Sequence, residues 1–74
     1  MPGLIHEIRR GLITARVRKR KHTFSVTLIR LYRDGDLWKE STRLCPKDIP
    51  LARHVLNLAH TWMLQTEDAL REAP

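Results

Sequence analysis

A run of positive side chains from Arg16 to Lys21 has the clearest capacity for chemistry in this chain. Five of its six residues are positive at neutral pH, and only Val17 interrupts them. Guanidinium and ammonium groups bind phosphate oxygens, and neutralising phosphates releases counterions without any base-specific contact. The run therefore predicts contact with the phosphate backbone of a nucleic acid, or with an acidic protein surface that offers the same charge.

Charge is distributed unevenly along the whole sequence, with this run included. Residues 1–43 contain eleven Lys and Arg against four Asp and Glu, whereas residues 44–74 contain three against four. The first part therefore has a net charge of +7 and the second a net charge of −1, which sum to the +6 of the whole chain. A basic face on a small domain is typical of proteins that bind nucleic acid.

Nucleophiles and metal ligands are scarce by comparison. Cys45 is the single cysteine, so no intrachain disulfide can form, and no side chain can be assigned as a base that would activate it. His54 and His60 are six residues apart, which places them on different sides of a helix and not one turn apart, as a metal pair requires. The sequence predicts a protein that is not an enzyme, holds no metal or other cofactor and takes no small-molecule substrate.

The length of 74 residues allows a single domain. A domain of this size buries only about 60% of the surface that its unfolded chain exposes, so its core is thin. No apolar run has the length of a membrane span, and the first residues lack the apolar segment of a secretion signal. We expect one domain over residues 1–74, located in the cytoplasm and without membrane contact.

Period-two alternation predicts strands on both sides of the charged run. In residues 12–18 apolar and polar side chains alternate, as they do in a half-buried strand. Residues 23–33 repeat the pattern, but their apolar positions shift parity at Leu28 and Ile29. A β-bulge at this point, or burial on both faces, would explain the shift. Residues 5–9 add a fourth strand if they pair separately from 12–18.

The dipeptide Asp34-Gly35 is the strongest hairpin signal, and it joins the second of these strands to residues 37–44. Two registers are compatible with it. In a two-residue type I′ loop, Arg33 pairs with Asp36. If Gly35 instead forms a bulge after a type I turn, Tyr32 pairs with Asp36.

A helix follows the strands. Asp48 can cap its N-terminus, and Pro50 suits its first turn because no intrahelical hydrogen bond is lost there. Over residues 48–65 the apolar side chains recur at helical spacing and form a stripe that can cover one face of a sheet. After Gln65 the chain is acidic, and residues 66–74 are expected to fray. The stripe consists of Leu51, Val55, Leu58, Ala59 and Trp62.

These elements together predict an α+β fold. A three- or four-stranded antiparallel sheet over about residues 4–44 precedes one C-terminal helix packed on one face. The second face of the sheet stays uncovered and both edges stay open, and pairing with a second copy would relieve both features. We therefore expect a homodimer.

The uncovered face is the predicted binding surface. Both hairpin registers place Arg30 and Tyr32 on the same side of the sheet, and the sequence-based hypothesis assigns them to the open side, joined by Trp38 or Lys39 according to register. Cations, an aromatic ring and small hydroxyl residues suit single-stranded nucleic acid, because bases stack while cations follow phosphates. A solvated face or a dimer seam is the alternative interpretation. The predicted contacts are Arg16, Arg18, Lys19, Arg20, Lys21, Arg30, Tyr32 and Lys39.

Three segments carry a resemblance to known proteins: Arg30 to Ser41, Lys47 to Leu51, and Ala59 to Trp62. They resemble a family of short, uncharacterised bacterial proteins with a Gly-hydrophobic start, a Lys/Arg-rich turn, an Asp-Gly-Trp-Lys hairpin and a C-terminal helix, and this family implies no function. More loosely, the layout is similar to the single-stranded-DNA-binding group of Whirly proteins, Pur-alpha repeats and the positive transcription coactivator. That similarity implies dimers of curved sheets backed by helices, with four strands before each helix.

The sequence thus favours a dimeric binder of single-stranded DNA or RNA without enzymatic activity. The alternative is a small interaction or accessory module that docks an acidic protein partner and makes no nucleic-acid contact. Salt dependence separates the two, because binding to a phosphate backbone weakens steeply as salt rises.

Overall fold

A computed structural model describes residues 4–72 of the chain, and the side chains of residues 5–69. The four strands form one antiparallel sheet in the order β1-β2-β3-β4, and a helix follows them. The predicted α+β fold with one C-terminal helix packed on the sheet is confirmed, with four strands. The elements are β1 (Leu4–Arg10), β2 (Ile13–Arg20), β3 (Thr23–Asp34), β4 (Leu37–Ser41), a 3₁₀ turn (Pro46–Asp48) and α1 (Ile49–Glu72).

Three two-residue turns connect the strands, and they share one backbone feature. The first residue of each turn has a positive φ: +58° at Gly11, +57° at Lys21 and +61° at Gly35. A positive φ at the first central position alone is typical of type II′ turns, whose twist matches that of the flanking strands. Lys21 is the one residue other than glycine with a positive φ in the described chain, a conformation that costs an L-residue roughly 1–2 kcal/mol. The pairing of β2 with β3 therefore holds Lys21, in the turn between these two strands, in a strained backbone conformation.

Strand β3 pairs with β2 without a bulge. Every residue from Thr23 to Arg30 lies opposite a single residue of β2, so side chains alternate between the two faces along this whole stretch. Leu28 is half-buried beneath the helix, and Ile29 is 5% exposed on the other face. The parity shift at these two positions therefore reflects burial on both faces, the second of the two predicted explanations.

The β3–β4 hairpin adopts neither of the predicted registers. Asp34 pairs with Leu37 and Arg33 pairs with Trp38, so the loop consists of residues 35–36. Both predictions placed Asp34 inside the turn. The physical reason for the difference is that a glycine in the first loop position forms the type II′ turn, which leaves the preceding aspartate in the strand.

The hydrophobic core lies between α1 and the half of the sheet formed by β1 and β2. Ile13, Ala15 and Val17 of β2 meet Val55 and Ala59 of α1, and none of the five is more than 1% exposed. The helix packs mainly on β2 and β1 and less on β3. One face of the sheet is therefore turned away from the helix, and the β3–β4 half of the other face is only partly covered.

The start of α1 is held by the 3₁₀ turn. The carboxylate of Asp48 accepts a hydrogen bond of 2.8 Å from the backbone N–H of Cys45. At its other end the helix continues to Glu72, past Gln65, where the sequence predicted the chain to fray. In this part the Thr66 hydroxyl donates a 2.8 Å hydrogen bond to the carbonyl of Trp62. Residues 73 and 74, which belong to the predicted frayed tail, lie outside the described residues.

Candidate nucleic-acid interface

The sheet face turned away from α1, here called the open face, carries alternate residues of all four strands. Because Ile13, Ala15 and Val17 point to the helix, the β2 residues between them point outwards, and the pairing extends this order to the neighbouring strands. Among the described strand residues on this face the only cations are arginines, five of them against two glutamates. These residues are Arg9, Arg16, Arg18, Arg20, Arg33, Glu7 and Glu40.

One end of the open face, at the β2–β3 turn, combines cations with hydroxyl groups. Arg18 lies opposite Ser25, and its Nη1 is 3.5 Å from Oγ1 of Thr27. An open concavity of about 500 Å³ lies beside the turn and is lined by Arg20, Lys21, Thr23 and Ser25. The side chains here can donate hydrogen bonds to phosphate or sugar oxygens. We call this group the hairpin patch: Arg18, Arg20, Lys21, Thr23 and Ser25.

The other end of the open face carries an exposed indole. Trp38 is 58% exposed, and the guanidinium of Arg33 lies over its ring at 6.0 Å from the centroid. Arg33 is itself fixed by a 3.0 Å hydrogen bond from its Nε to the carbonyl of Gly35. A cation over an indole holds the ring in place. The exposed ring surface can therefore stack with a nucleobase.

Three of the predicted contacts, Arg30, Tyr32 and Lys39, lie on the helix side of the sheet. Arg30 is opposite Ile13 of the core, and Tyr32 is opposite Lys39. Because β3 has no bulge, the alternation that turns residues 24, 26 and 28 to the helix side also turns Arg30 and Tyr32 to that side. Their assignment to the open side is therefore wrong, and they cannot contact a ligand that binds the open face.

Each of the two cations among these residues has a carboxylate partner. Arg30 Nε lies 3.0 Å from Asp48 Oδ2, an ion pair without the alignment of a hydrogen bond. The backbone N–H of Cys45, and after it Arg30, hold the pKa of Asp48 below its ordinary value. Lys39 Nζ lies 2.8 Å from Asp34 Oδ2. Arg30 thus links β3 to the start of the helix, and Lys39 links the two strands of the last hairpin.

The charged run of β2 is divided between the two faces by the alternation of the strand. Arg16, Arg18 and Arg20 point to the open face, whereas Lys19 points to the helix side, where its Nζ lies 5.6 Å from the ring centroid of Phe24. Lys21 lies in the turn. The structure therefore brings three of the five predicted cations together on one face, with Lys21 at its rim.

Arg16, in the middle of the open face, is held between two carboxylates. Its Nε lies 3.2 Å from Oε2 of Glu7, its Nη1 donates a 3.0 Å hydrogen bond to one oxygen of Glu40, and its Nη2 donates to the other oxygen. The hydrogen bonds between Arg16 and Glu40 raise the pKa of the guanidinium and lower the pKa of the carboxyl group. This predicted phosphate contact is therefore already engaged within the protein, by both acidic residues of the open face.

Trp38, considered only as the alternative to Lys39, is missing from the list of predicted contacts, as are Arg33 and Arg9, and the structure places all three on the open face. One signal in the sequence could have found Trp38 and Arg33. Gly followed by Asp at residues 35–36 is itself typical of a two-residue type II′ hairpin loop. That loop pairs Arg33 with Trp38 and so places both on one face, which the continuous pairing of β3 with β2 makes the face of Arg18.

Comparisons with protein-family models, with curated proteins and with solved structures give no match to this chain. In the part of the chain that the structure describes, no helix is both long and apolar enough to cross a membrane. The fold and the site thus define the molecule as a small α+β domain with an arginine-rich open sheet face.

Proposed function

We propose that this protein binds single-stranded nucleic acid, DNA or RNA, on its open face. The supporting observation is that one uncovered sheet surface combines five arginines, a row of hydroxyl side chains on β3 and an exposed indole. Guanidinium groups bind phosphate oxygens, hydroxyl groups bind phosphate and sugar oxygens, and bases stack on aromatic rings.

The distance between the two ends of the open face suits an extended strand. From Thr23 to Arg33, β3 spans about 33 Å at roughly 3.3 Å per residue. Domains that bind single strands without sequence preference have site sizes of about 4 to 16 nucleotides. In this arrangement the hairpin patch contacts phosphates, and a base several nucleotides away stacks on Trp38.

Charge removal at the hairpin patch tests the proposal. The double variant Arg18→Gln/Arg20→Gln is expected to bind a fluorescent oligonucleotide more weakly, whatever its sequence. Its slope of log K against log salt should fall by about 1.4, since each lost contact to a single strand contributes about 0.7. Fluorescence anisotropy titrations at several salt concentrations measure both quantities.

The matched control removes two charges elsewhere. Lys47 and Arg53 are exposed on the 3₁₀ turn and on α1, so Lys47→Gln/Arg53→Gln should leave the slope nearly unchanged. If wild type binds no oligonucleotide at low salt, or if both double variants change the slope equally, the proposal fails. Docking of an acidic protein partner then explains the basic face.

We also propose that the protein is a homodimer that covers the β3–β4 half of the helix side. Ile49 and Leu56 on α1 are 50% and 41% exposed, and Val26 and Leu28 on β3 are only half-buried.

The accessible surface is 5829 Å², against about 4,700 Å² for a compact protein of this mass. The excess of about 1,100 Å² is comparable to the roughly 800 Å² that each partner buries in a standard interface. The radius of gyration, 14.2 Å, likewise exceeds the value of about 11 Å for a compact domain.

Sedimentation measures this state. Wild type is expected to have about twice the 8.7 kDa mass of the chain at micromolar concentration. Leu56→Glu should give the monomer, because it places a charge in the proposed interface, whereas Asn57→Glu, which changes the neighbouring exposed residue of α1, should remain a dimer. A monomer mass that is constant over a wide dilution series would contradict the proposal.

A further inference from the structure

We infer that Glu7 and Glu40 compete with nucleic-acid phosphates for Arg16, so that the centre of the open face admits a strand only when the ligand displaces them. This inference concerns the site proposed above and rests on that proposal. It assigns the two glutamates a role in selecting ligands, in addition to any effect on the fold.

The contact between Arg16 and Glu40 crosses the middle of the open face. Arg16 of β2 lies opposite Thr27 of β3. Glu40 of β4 lies opposite Leu31, four residues further along the same strand. The two side chains therefore meet across β3 above Ile29, which is only 5% exposed although no helix covers this face. With Glu7 on β1, the group spans all four strands.

The chemistry of the contact is that of phosphate binding. A guanidinium offers its N–H groups as a planar fork, and this fork takes a carboxylate or a phosphate in the same two-point geometry. Both Nη atoms of Arg16 donate to Glu40, and its Nε lies beside Glu7. The positions where phosphate oxygens would bind are therefore held by carboxylate oxygens of the protein itself.

The contact is accessible enough to be exchanged. The side chains of Glu7 and Glu40 are 39% and 46% exposed, and ion pairs at such exposure are weak and screened by salt. A ligand already anchored at the hairpin patch brings its next phosphates to Arg16 at high local concentration. Displacement of the carboxylates then needs no opening of the core.

The consequence is a preference for longer strands. Two arginines, Arg16 and Arg9 beside Thr14, and two glutamates leave the centre without net charge, whereas the hairpin patch and Arg33 are positive at the two ends. A short oligonucleotide can occupy only one end, because the carboxylates of the centre engage Arg16 and leave no net positive charge for its phosphates. A longer strand contacts both ends and offsets the cost of crossing the centre.

The variant Glu40→Gln tests the inference. Removing the carboxylate charge should make Arg16 available as one further phosphate contact, which raises the slope of log K against log salt by about 0.7 and the affinity about five- to tenfold near 50 mM salt. The gain should be larger for an oligonucleotide of about 4 nucleotides, which cannot reach both ends, than for one of about 18, because the shorter one gains most when the centre becomes positive. Anisotropy titrations with both lengths measure this, and circular dichroism checks that each variant is folded.

Two further variants give the test its controls. Asp34→Asn removes the same charge and breaks an ion pair of comparable length, but to Lys39 on the helix side, so it should leave the slope and the length preference unchanged. Adding Arg16→Gln to Glu40→Gln should abolish the gain. Equal gains in Glu40→Gln and Asp34→Asn, or a gain that survives without Arg16, would overturn the inference and leave the proposed function intact. Absence of binding by wild type and by all variants would instead overturn the proposed function.

Discussion

Replacing Trp62 by alanine is expected to destabilise the fold by up to about 3–5 kcal/mol, the range for removing a large aromatic side chain from a core, because its half-buried indole packs against the core. Trp62 connects the helix to two strands. Its ring stacks on His6 of β1 with centroids 4.3 Å apart and planes 5° apart, and it meets the ring of Phe24 of β3 edge-on at 6.0 Å. For a domain with a stability near the low end of 5–15 kcal/mol, a loss of this size leaves about 0–2 kcal/mol, so that roughly 3% to half of the population is unfolded.

The chain offers a matched control in its second tryptophan. Trp38 is 58% exposed on the open face, so Trp38→Ala removes the same side chain and should cost less than about 1 kcal/mol, as is usual for surface substitutions. Urea denaturation followed by circular dichroism compares the two variants without depending on tryptophan fluorescence. A Trp62→Ala protein that is as stable as Trp38→Ala would show that the indole of Trp62 contributes nothing to the core.

For binding, Trp38 is the tryptophan that matters. Trp38→Ala is expected to weaken single-strand binding by about 1–3 kcal/mol, or roughly 5- to 150-fold. Affinity falls because a base can no longer stack on the exposed surface of the indole, next to Arg33. Because stacking involves no ion exchange, the slope of log K against log salt should hardly change. This distinguishes Trp38→Ala from the arginine variants of the hairpin patch, which lower the slope.

Leu37→Ala is the control for this experiment. Leu37 is the neighbour of Trp38 in β4, is 64% exposed, and points to the opposite side of the sheet. Its truncation removes exposed apolar surface without touching the open face, so affinity should stay at the wild-type value. Equal losses in both variants, or unchanged affinity in Trp38→Ala, would show that no base stacks on this indole.

The elements of the fold could be predicted because they depend on local periodicity. The alternation that ends at Val17 predicts β2, and the helical spacing of Val55 and Ala59 predicts the buried side of α1; the structure confirms both. The first strand was predicted only conditionally. Its alternation is short, and pairing with β2 is what makes it a strand.

A binding residue could be assigned to the correct face only where the alternation within its own strand fixes that face. Arg18 and Arg20 alternate with Val17, so their place opposite the core follows from β2 alone. Arg30 and Tyr32 were assigned to the wrong face because the shift in apolar parity at Ile29 allowed a bulge. Only the continuous pairing of β3 with β2 excludes that bulge.

Charge and periodicity are properties of neighbouring residues, and they are enough to predict a basic, open sheet backed by a helix. Which of those charges remain available to a ligand depends instead on contacts between strands. Arg16 is 9 residues from Glu7 and 24 residues from Glu40 in the sequence. They meet because three successive strand pairings align them, and each pairing depends on turn geometry and on contacts between residues that are distant in the chain.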